Sequence, residues 1–221
     1  MPNLPTFPHV LARLQPIVPQ FYSAIEGALQ KTREFFEADN VDLDRSLAPN
    51  LVRYYAKRFL LAEGLPTEDE PADVADFELQ PLANNGLCLT YEGHEIRILK
   101  ADDGELPAPG PSKSRQKFWN WNGQLSLNFS YGEDVLSTSD VEAENLHLIV
   151  LWDVEPLRYK LNRLLLCCPT SGDVTNASAY FLEEIPHPIE AIDLAFTANA
   201  ASVVEDLDLD LKVKERVDGQ R

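Results

Sequence analysis

A short segment near the middle of the chain, residues 113–121 (KSRQKFWNW), combines residue types suited to binding another molecule. Its basic and aromatic members are Lys113, Arg115, Lys117, Phe118, Trp119 and Trp121. Cations neutralise phosphates and aromatic rings stack on bases, so this combination is typical of nucleic-acid binding. Arg97 and Lys100 precede the segment and extend the candidate site. We call residues 113–121 the basic-aromatic segment and predict that it forms a binding loop.

The same segment fits two other roles. In the first, Phe118 and Trp119 fold inward and anchor a long loop over the core, while the basic residues balance acidic surroundings. In the second, the segment contacts a protein or peptide, because a basic island in an anionic protein attracts acidic partners. An interaction site should leave Trp119 or Trp121 substantially exposed, whereas an anchor should bury both.

A second set of residues suggests metal-dependent chemistry. Asp76 begins a predicted strand, and Glu95 and Arg97 lie two positions apart on a later strand, behind a predicted helix. This arrangement, over residues 45–100, resembles the core of the PD-(D/E)xK nucleases, whose acid pair and lysine hold a metal ion and a water. Arg97 stands at the lysine position, and a guanidinium neither loses its proton nor coordinates a metal. The resemblance therefore implies a degenerate nuclease site, and it assigns the whole chain to no family.

Asp153 and Glu155 form a third candidate, because they follow the apolar run LHLIVLW and bring two carboxylates to a strand end. Metal-dependent enzymes use such pairs with a third acid and a lysine to hold divalent ions. Acids at the mouth of a hairpin also serve solubility alone, and Pro156 favours that interpretation. We expect no bound metal and no other cofactor.

The histidines and cysteines suggest neither zinc binding nor thiol catalysis. No histidine is spaced with a cysteine or a second histidine as zinc sites require; His94 is predicted in a turn and His147 in a strand. Cys88, Cys167 and Cys168 lie in apolar surroundings, which predicts reduced, buried thiols. The last two are adjacent in a predicted strand, so they should point to opposite faces of the sheet.

The elements that position these residues follow from hydrophobic periodicity. Two helices are predicted, one from Pro16 to Asn40 and one from Pro49 to Gly64. Seven strands are predicted, at 76–82, 87–92, 95–100, 124–129, 146–154, 158–168 and 177–185. The second and third form a hairpin. The fifth and sixth are continuously apolar and should be adjacent in the middle of the sheet, with helices over one side.

Charge is strong and unevenly distributed along the 221 residues, whose formal net charge is −17 at pH 7. Residues 61–80 contain seven acidic residues and no basic one. Such charge favours solubility and repels nucleic acid over most of the surface, although a local basic face can still bind it. No apolar run approaches the roughly 20 residues of a membrane-spanning helix, and the N-terminus lacks a signal-peptide pattern. We predict a cytoplasmic protein without a membrane partner.

These patterns predict an α+β fold in which two N-terminal helices pack on a mostly antiparallel sheet of six to seven strands. The predicted organisation is a helical element at 1–65, an acidic linker at 66–74, a sheet core at 75–190 and an acidic tail at 191–221. The tail is expected to hold a short helix and to be loose, or to order only against a partner.

Function follows by elimination, since the chain has no Walker-type phosphate loop, serine nucleophile elbow or zinc-protease motif. We predict a non-catalytic intracellular binding protein that engages a macromolecular partner, chiefly another protein, through its acidic surface, the basic-aromatic segment, or both. An antitoxin, immunity or inhibitor role would suit these features. The alternative is a nucleic-acid-binding protein or degenerate metal-dependent nuclease centred on the same segment.

Overall fold

The computed structural model describes residues 4–38, 40, 42–44, 46–63, 77–82, 86–101, 103–128, 145–155 and 158–188. The helices in these ranges are α1 (Phe7–Leu14), α2 (Val18–Ala38), α3 (Ala48–Glu63) and α4 (Lys113–Asn128). The strands are β1 (Glu78–Pro81), β2 (Leu87–Tyr91), β3 (His94–Lys100), β4 (His147–Val154), β5 (Leu161–Gly172) and β6 (Ala177–Glu184).

The six strands form one mixed sheet whose spatial order follows the sequence from β1 to β6. Neighbouring strands are antiparallel, except that β3 and β4 are parallel. A parallel pair needs a long crossover connection, and α4 lies in the connection between β3 and β4. The α+β class, the mostly antiparallel sheet, the β2–β3 hairpin and the pairing of β4 with β5 are confirmed. The hairpin turn consists of Glu92 and Gly93, both with the positive φ that a tight turn of this kind requires.

One face of the sheet packs against α1, α2 and α3. Ile96, Val150 and Leu166, from three adjacent strands, are fully buried on this face, and α2 contributes Phe21 and Ile25 to the same core. Alternate residues of a strand point to opposite faces, so each strand supplies a second set of side chains to the other side. The N-terminal part contains three described helices instead of the two predicted, because α1 precedes the turn that contains Pro16.

The opposite face of the sheet packs against α4, so the prediction of helices over one side only is wrong. Phe118 and Trp119 of α4 are buried against Ile149, Leu151 and other residues of β4 and β5. A strand that is buried on both faces reads as a continuous apolar run, as β4 and β5 do. Cys167 and Cys168 are buried on opposite faces, as predicted, and both are free thiols.

Helix α4 also corrects two predictions made from the sequence. The basic-aromatic segment is the first part of this helix and not a loop. The strand predicted at 124–129 is absent, because residues 124–128 continue the helix and Phe129 lies outside the described residues. The alternation of Leu125 with Leu127 suggested a strand, whereas packing of the helix on the sheet decides the outcome.

The hydrogen bonds of one residue and the missing side chain of another let α4 pack closely on the sheet. The buried side chain of Asn122 donates from Nδ2 to the carbonyl oxygens of His147 (2.6 Å) and Pro169 (2.8 Å). Its Oδ1 accepts the backbone N–H of His147 at 3.0 Å. Gly123 lies against the carbonyl oxygen of Thr170, where a side chain would collide with the strand. Together these contacts fix α4 relative to the first residue of β4.

Several predictions concern parts of the chain that the structure does not describe. The acidic linker at 66–74 and the acidic tail at 191–221 both lie outside the described residues. The domain boundaries therefore stay predictions. None of the helices in the described ranges combines the length and the apolar character that crossing a bilayer requires.

Candidate functional site

A cleft opens on the face of the sheet that carries α4. The helix packs mainly on β4 and β5, and its side chains face polar residues of β1, β2 and β3 across the cleft. The space between these strands and α4 has a volume of about 610 Å³. We call it the α4 cleft. Its size falls within the range of roughly 300–1,000 Å³ that is usual for ligand sites.

Both walls of the α4 cleft follow from simple geometry. The helical wall consists of Ser114, Lys117, Phe118 and Trp121. These positions are three or four apart, so they lie along one face of α4. The strand wall includes Gln80, Thr90, Glu95, Arg97 and His147. Glu95 and Arg97 are two apart on β3 and point to the same face, and the parallel register of β3 and β4 places His147 beside Glu95.

Four planar groups from the two walls form a continuous series of contacts. The guanidinium carbon of Arg97 lies 4.2 Å from the centroid of the Phe118 ring. Phe118 stacks on His147 with 4.3 Å between ring centroids, and His147 stacks on Trp121 at 4.9 Å with 13° between the planes. The indole N–H of Trp121 donates to the carbonyl oxygen of Asn145 at 3.1 Å. These contacts hold the side chains in one arrangement, so the cleft is preformed.

His147 lies between a carbonyl and a carboxylate. Its Nδ1 is 3.3 Å from the carbonyl oxygen of Phe118, and its Nε2 is 3.6 Å from Oε2 of Glu95. Burial lowers the pKa of His147, and this effect outweighs the opposing effect of Glu95. A lowered pKa favours the neutral imidazole, which donates a hydrogen bond from one nitrogen only and brings no positive charge to the cleft.

Three cations, Arg97, Arg115 and Lys117, lie on the α4 side of the sheet, where Glu95 is the carboxylate that shares the cleft with Arg97 and Lys117. In the described part of the chain, no carboxylate forms an ion pair with Arg97, Arg115 or Lys117. Burial lowers the pKa of Arg115, and the charges of Arg97 and Arg53 lower it further. Lys117 is exposed at the cleft wall. This local charge is opposite to that of the protein as a whole.

The residues of the basic-aromatic segment divide between two roles. Phe118 and Trp119 are 2% and 0% exposed, which fits the anchoring alternative and removes Trp119 from any contact surface. Trp121 is half-buried and lines the cleft. Lys113 is exposed in the first turn of α4, and Lys100 is exposed at the end of β3. Neither of these two lysines lines the cleft, although both carry the charge predicted for the site.

The residues of the nuclease prediction are brought together only in part. Asp76 lies outside the described residues. Glu95 and Arg97 both line the cleft, and Lys117 faces them from α4. An amine and a carboxylate therefore line the same cleft, although the amine comes from the helix and not from the strand position that Arg97 occupies.

The carboxylates at the end of β4 are held by neighbouring side chains. Oδ2 of Asp153 accepts from Nε of Arg163 at 3.3 Å and from the amide of Asn162 at 3.1 Å. Glu155 lies 4.0 Å from Nε of Arg158. Across the described ranges, no group of three or more His, Cys, Asp or Glu side chains is arranged to hold a metal ion. The contacts of Asp153 are those of a residue with a structural role.

Sequence reasoning missed several lining residues, above all His147, whose place depends on strand register. It also misplaced His94, which begins β3 and is 1% exposed instead of lying in a turn. The Nδ1 atom of His94 accepts the backbone N–H of Leu146 at 3.1 Å, and burial lowers its pKa to about 4. His94 is therefore a neutral structural residue that links β3 to the start of β4.

Comparison of this chain with protein-family models, curated proteins and solved structures gives no match. Function must therefore be inferred from the residues of the α4 cleft.

Proposed function

We propose that the protein is a non-catalytic binding protein that holds an anionic part of a macromolecular partner in the α4 cleft. The observation that carries this proposal is the pair of cations, Arg97 and Lys117, which have no carboxylate partner in the described ranges and lie beside half-buried Trp121. Arginine and tryptophan are the residues most often responsible for binding energy at interfaces. A preformed wall also lowers the entropic cost of binding.

Binding alone would be sufficient for the roles that the sequence suggests. An antitoxin, an immunity protein or an inhibitor acts by occupying its partner and needs no catalytic group. We place this activity in the cytoplasm, because the buried free thiols Cys88, Cys167 and Cys168 fit a reducing compartment. A protein partner would present acidic side chains to the cleft, and a nucleic acid would present phosphates.

The proposal predicts that a single charge reversal in the cleft abolishes partner binding. Wild-type protein and the Lys117→Glu variant are used as bait in native cell extract, and bound proteins and nucleic acids are both quantified. Species bound through the cleft should be lost from the Lys117→Glu bait, because the new carboxylate repels an anionic group. Lys117 is exposed, so the substitution should leave folding intact.

The matched control is Lys160→Glu, which makes the same charge change at an exposed position outside the cleft. This control should retain every species that the wild-type protein binds. Retention by Lys117→Glu of all the species bound by wild type would refute the proposal, as would equal losses from both variants.

A degenerate nuclease is the second candidate, favoured by the presence of Glu95 and Lys117 on facing walls of one cleft. Carboxylate oxygens are ligands of Mg²⁺, and a nearby amine can orient a water. This candidate predicts magnesium-dependent cleavage of single-stranded or duplex DNA or RNA, abolished by Glu95→Gln and by a chelator. Absence of cleavage with magnesium or manganese would exclude it and leave the binding proposal standing.

A further inference from the structure

Trp121 supplies a stacking surface that a purely ionic site would not need. Its ring is fixed by the stack on His147 and by the hydrogen bond to Asn145, yet it is only half-buried and lines the cleft. A ring held in place in this way loses little entropy when a ligand packs on it. Every nucleobase has a flat face that stacks on indole, so the ring suits a base without demanding one sequence.

Arg97 and Lys117 supply the positive charge for a phosphate group. Arg97 is held against Phe118, and its guanidinium keeps several N–H donors in a fixed plane. Lys117 reaches the same cleft from α4, one helical turn before Trp121. Arginine and lysine are the usual phosphate-binding side chains, and here both line the same cleft as the ring of Trp121.

Glu95 indicates that the ligand is not a simple anion. Its side chain is 40% exposed and lines the same cleft as the two cations. A carboxylate adds nothing to the binding of inorganic phosphate alone, whereas it accepts hydrogen bonds from the amino N–H groups of a nucleobase. The cleft thus combines donors for an anion, an acceptor and a stacking surface.

The charge of the whole protein limits the length of the ligand. With a net charge of −17, most of the surface repels a polyanion that extends beyond the cleft. A volume of about 610 Å³ falls within the usual range of small-ligand sites and is enough for one nucleotide. A free nucleotide and the terminal nucleotide of a single strand both satisfy these conditions.

We infer that the α4 cleft binds one nucleotide, with the base stacked on Trp121 and the phosphates held by Arg97 and Lys117. This inference rests on the proposed function, since it names the ligand class of the same site. It extends that function because it requires recognition of a base as well as a charge.

The inference is tested by isothermal titration calorimetry of the full chain at about 0.1 M salt, where long-range repulsion is largely screened. The probes are ADP, adenosine, pyrophosphate and a 5′-phosphorylated single-stranded oligoadenylate. ADP or the oligoadenylate should bind at least about tenfold more tightly than adenosine or pyrophosphate, because only they offer both base and phosphate. Tighter binding of ADP identifies a free nucleotide as the ligand, and tighter binding of the oligoadenylate identifies a strand end.

Variants separate stacking from charge. Trp121→Ala should weaken ADP binding by about 5- to 150-fold, the range expected for one lost stacking contact, and leave pyrophosphate binding unchanged. Lys117→Ala should weaken the binding of ADP and of pyrophosphate alike. The control Lys160→Ala, exposed and outside the cleft, should change neither. If Trp121→Ala does not fold, Trp121→Leu replaces it, since leucine fills space without a π-face.

Three outcomes would overturn the inference. They are pyrophosphate binding as tight as ADP binding, ADP binding that is unchanged in Trp121→Ala, and no binding of ADP or oligoadenylate to the wild-type protein. In each case the proposed function still stands if Lys117→Glu loses partners in the capture experiment. If that capture also fails, the proposed function falls together with the inference.

Discussion

Asn122 shows how one polar residue positions the candidate site. Its side-chain amide forms hydrogen bonds with the backbone N–H and carbonyl of His147 and with the carbonyl of Pro169. These bonds connect α4 to both β4 and β5. The side chain is 0% exposed, and a buried amide is tolerated because its hydrogen bonds are made. His147 and Trp121 lie directly beside this contact and depend on it for their alignment.

At the residue scale, we expect Asn122→Ala to lower the free energy of unfolding by about 3 kcal/mol, because it leaves two or three buried backbone groups unpaired. Chemical denaturation measures this change. The control is Asn162→Ala, which removes an exposed amide that donates to Asp153 and should cost no more than about 0.5 kcal/mol. Equal stability losses in the two variants would show that Asn122 does not join α4 to the sheet.

At the scale of elements, the sequence predicts the strands well and α4 poorly. The strands β2 to β5 are recognisable because their apolar residues either alternate or run continuously, as in LHLIVLW. The buried face of α4 is short and is interrupted by polar Asn122, so it lacks the apolar repeat of a helix. Leu125 and Leu127 then suggest a strand through their alternation. Packing on the sheet, which no local pattern contains, makes this segment a helix.

The sequence predicts which charged and aromatic residues belong to the candidate site, and it does not predict how they are arranged in space. Lys117 and Trp121 are recognisable because basic and aromatic residues are concentrated at 113–121, and Arg97 because it is a basic residue that precedes this segment. The place of His147 depends on the parallel register of β3 and β4, which follows from the crossover through α4. The loop predicted at residues 113–121 gives no reason to place Lys117 and Trp121 in one cleft with Glu95. The helix does so, because it directs one of its faces toward the space beside β3.

At the scale of the whole molecule, the α4 cleft reverses the sign of the surrounding charge. The net charge of −17 keeps polyanions away from most of the surface, while Arg97 and Lys117 attract an anionic group at one place. This distribution of charge favours small ligands with one anionic group over long polyanions. The cleft arises because α4 packs mainly on β4 and β5, so polar side chains of β1 to β3 line the space beside the helix.

The most direct test of the account is a nuclear magnetic resonance titration of the indole N–H signals of the three tryptophans. Trp121 lines the cleft, whereas Trp119 and Trp152 are buried, Trp152 on the face that packs against α1, α2 and α3. Each signal is assigned by its loss in the corresponding Trp→Phe variant. Addition of ADP should shift the Trp121 signal and leave the Trp152 signal in place. A largest shift at Trp152, or no shift at Trp121 when ADP is saturating, would contradict the claim that the α4 cleft is the binding site.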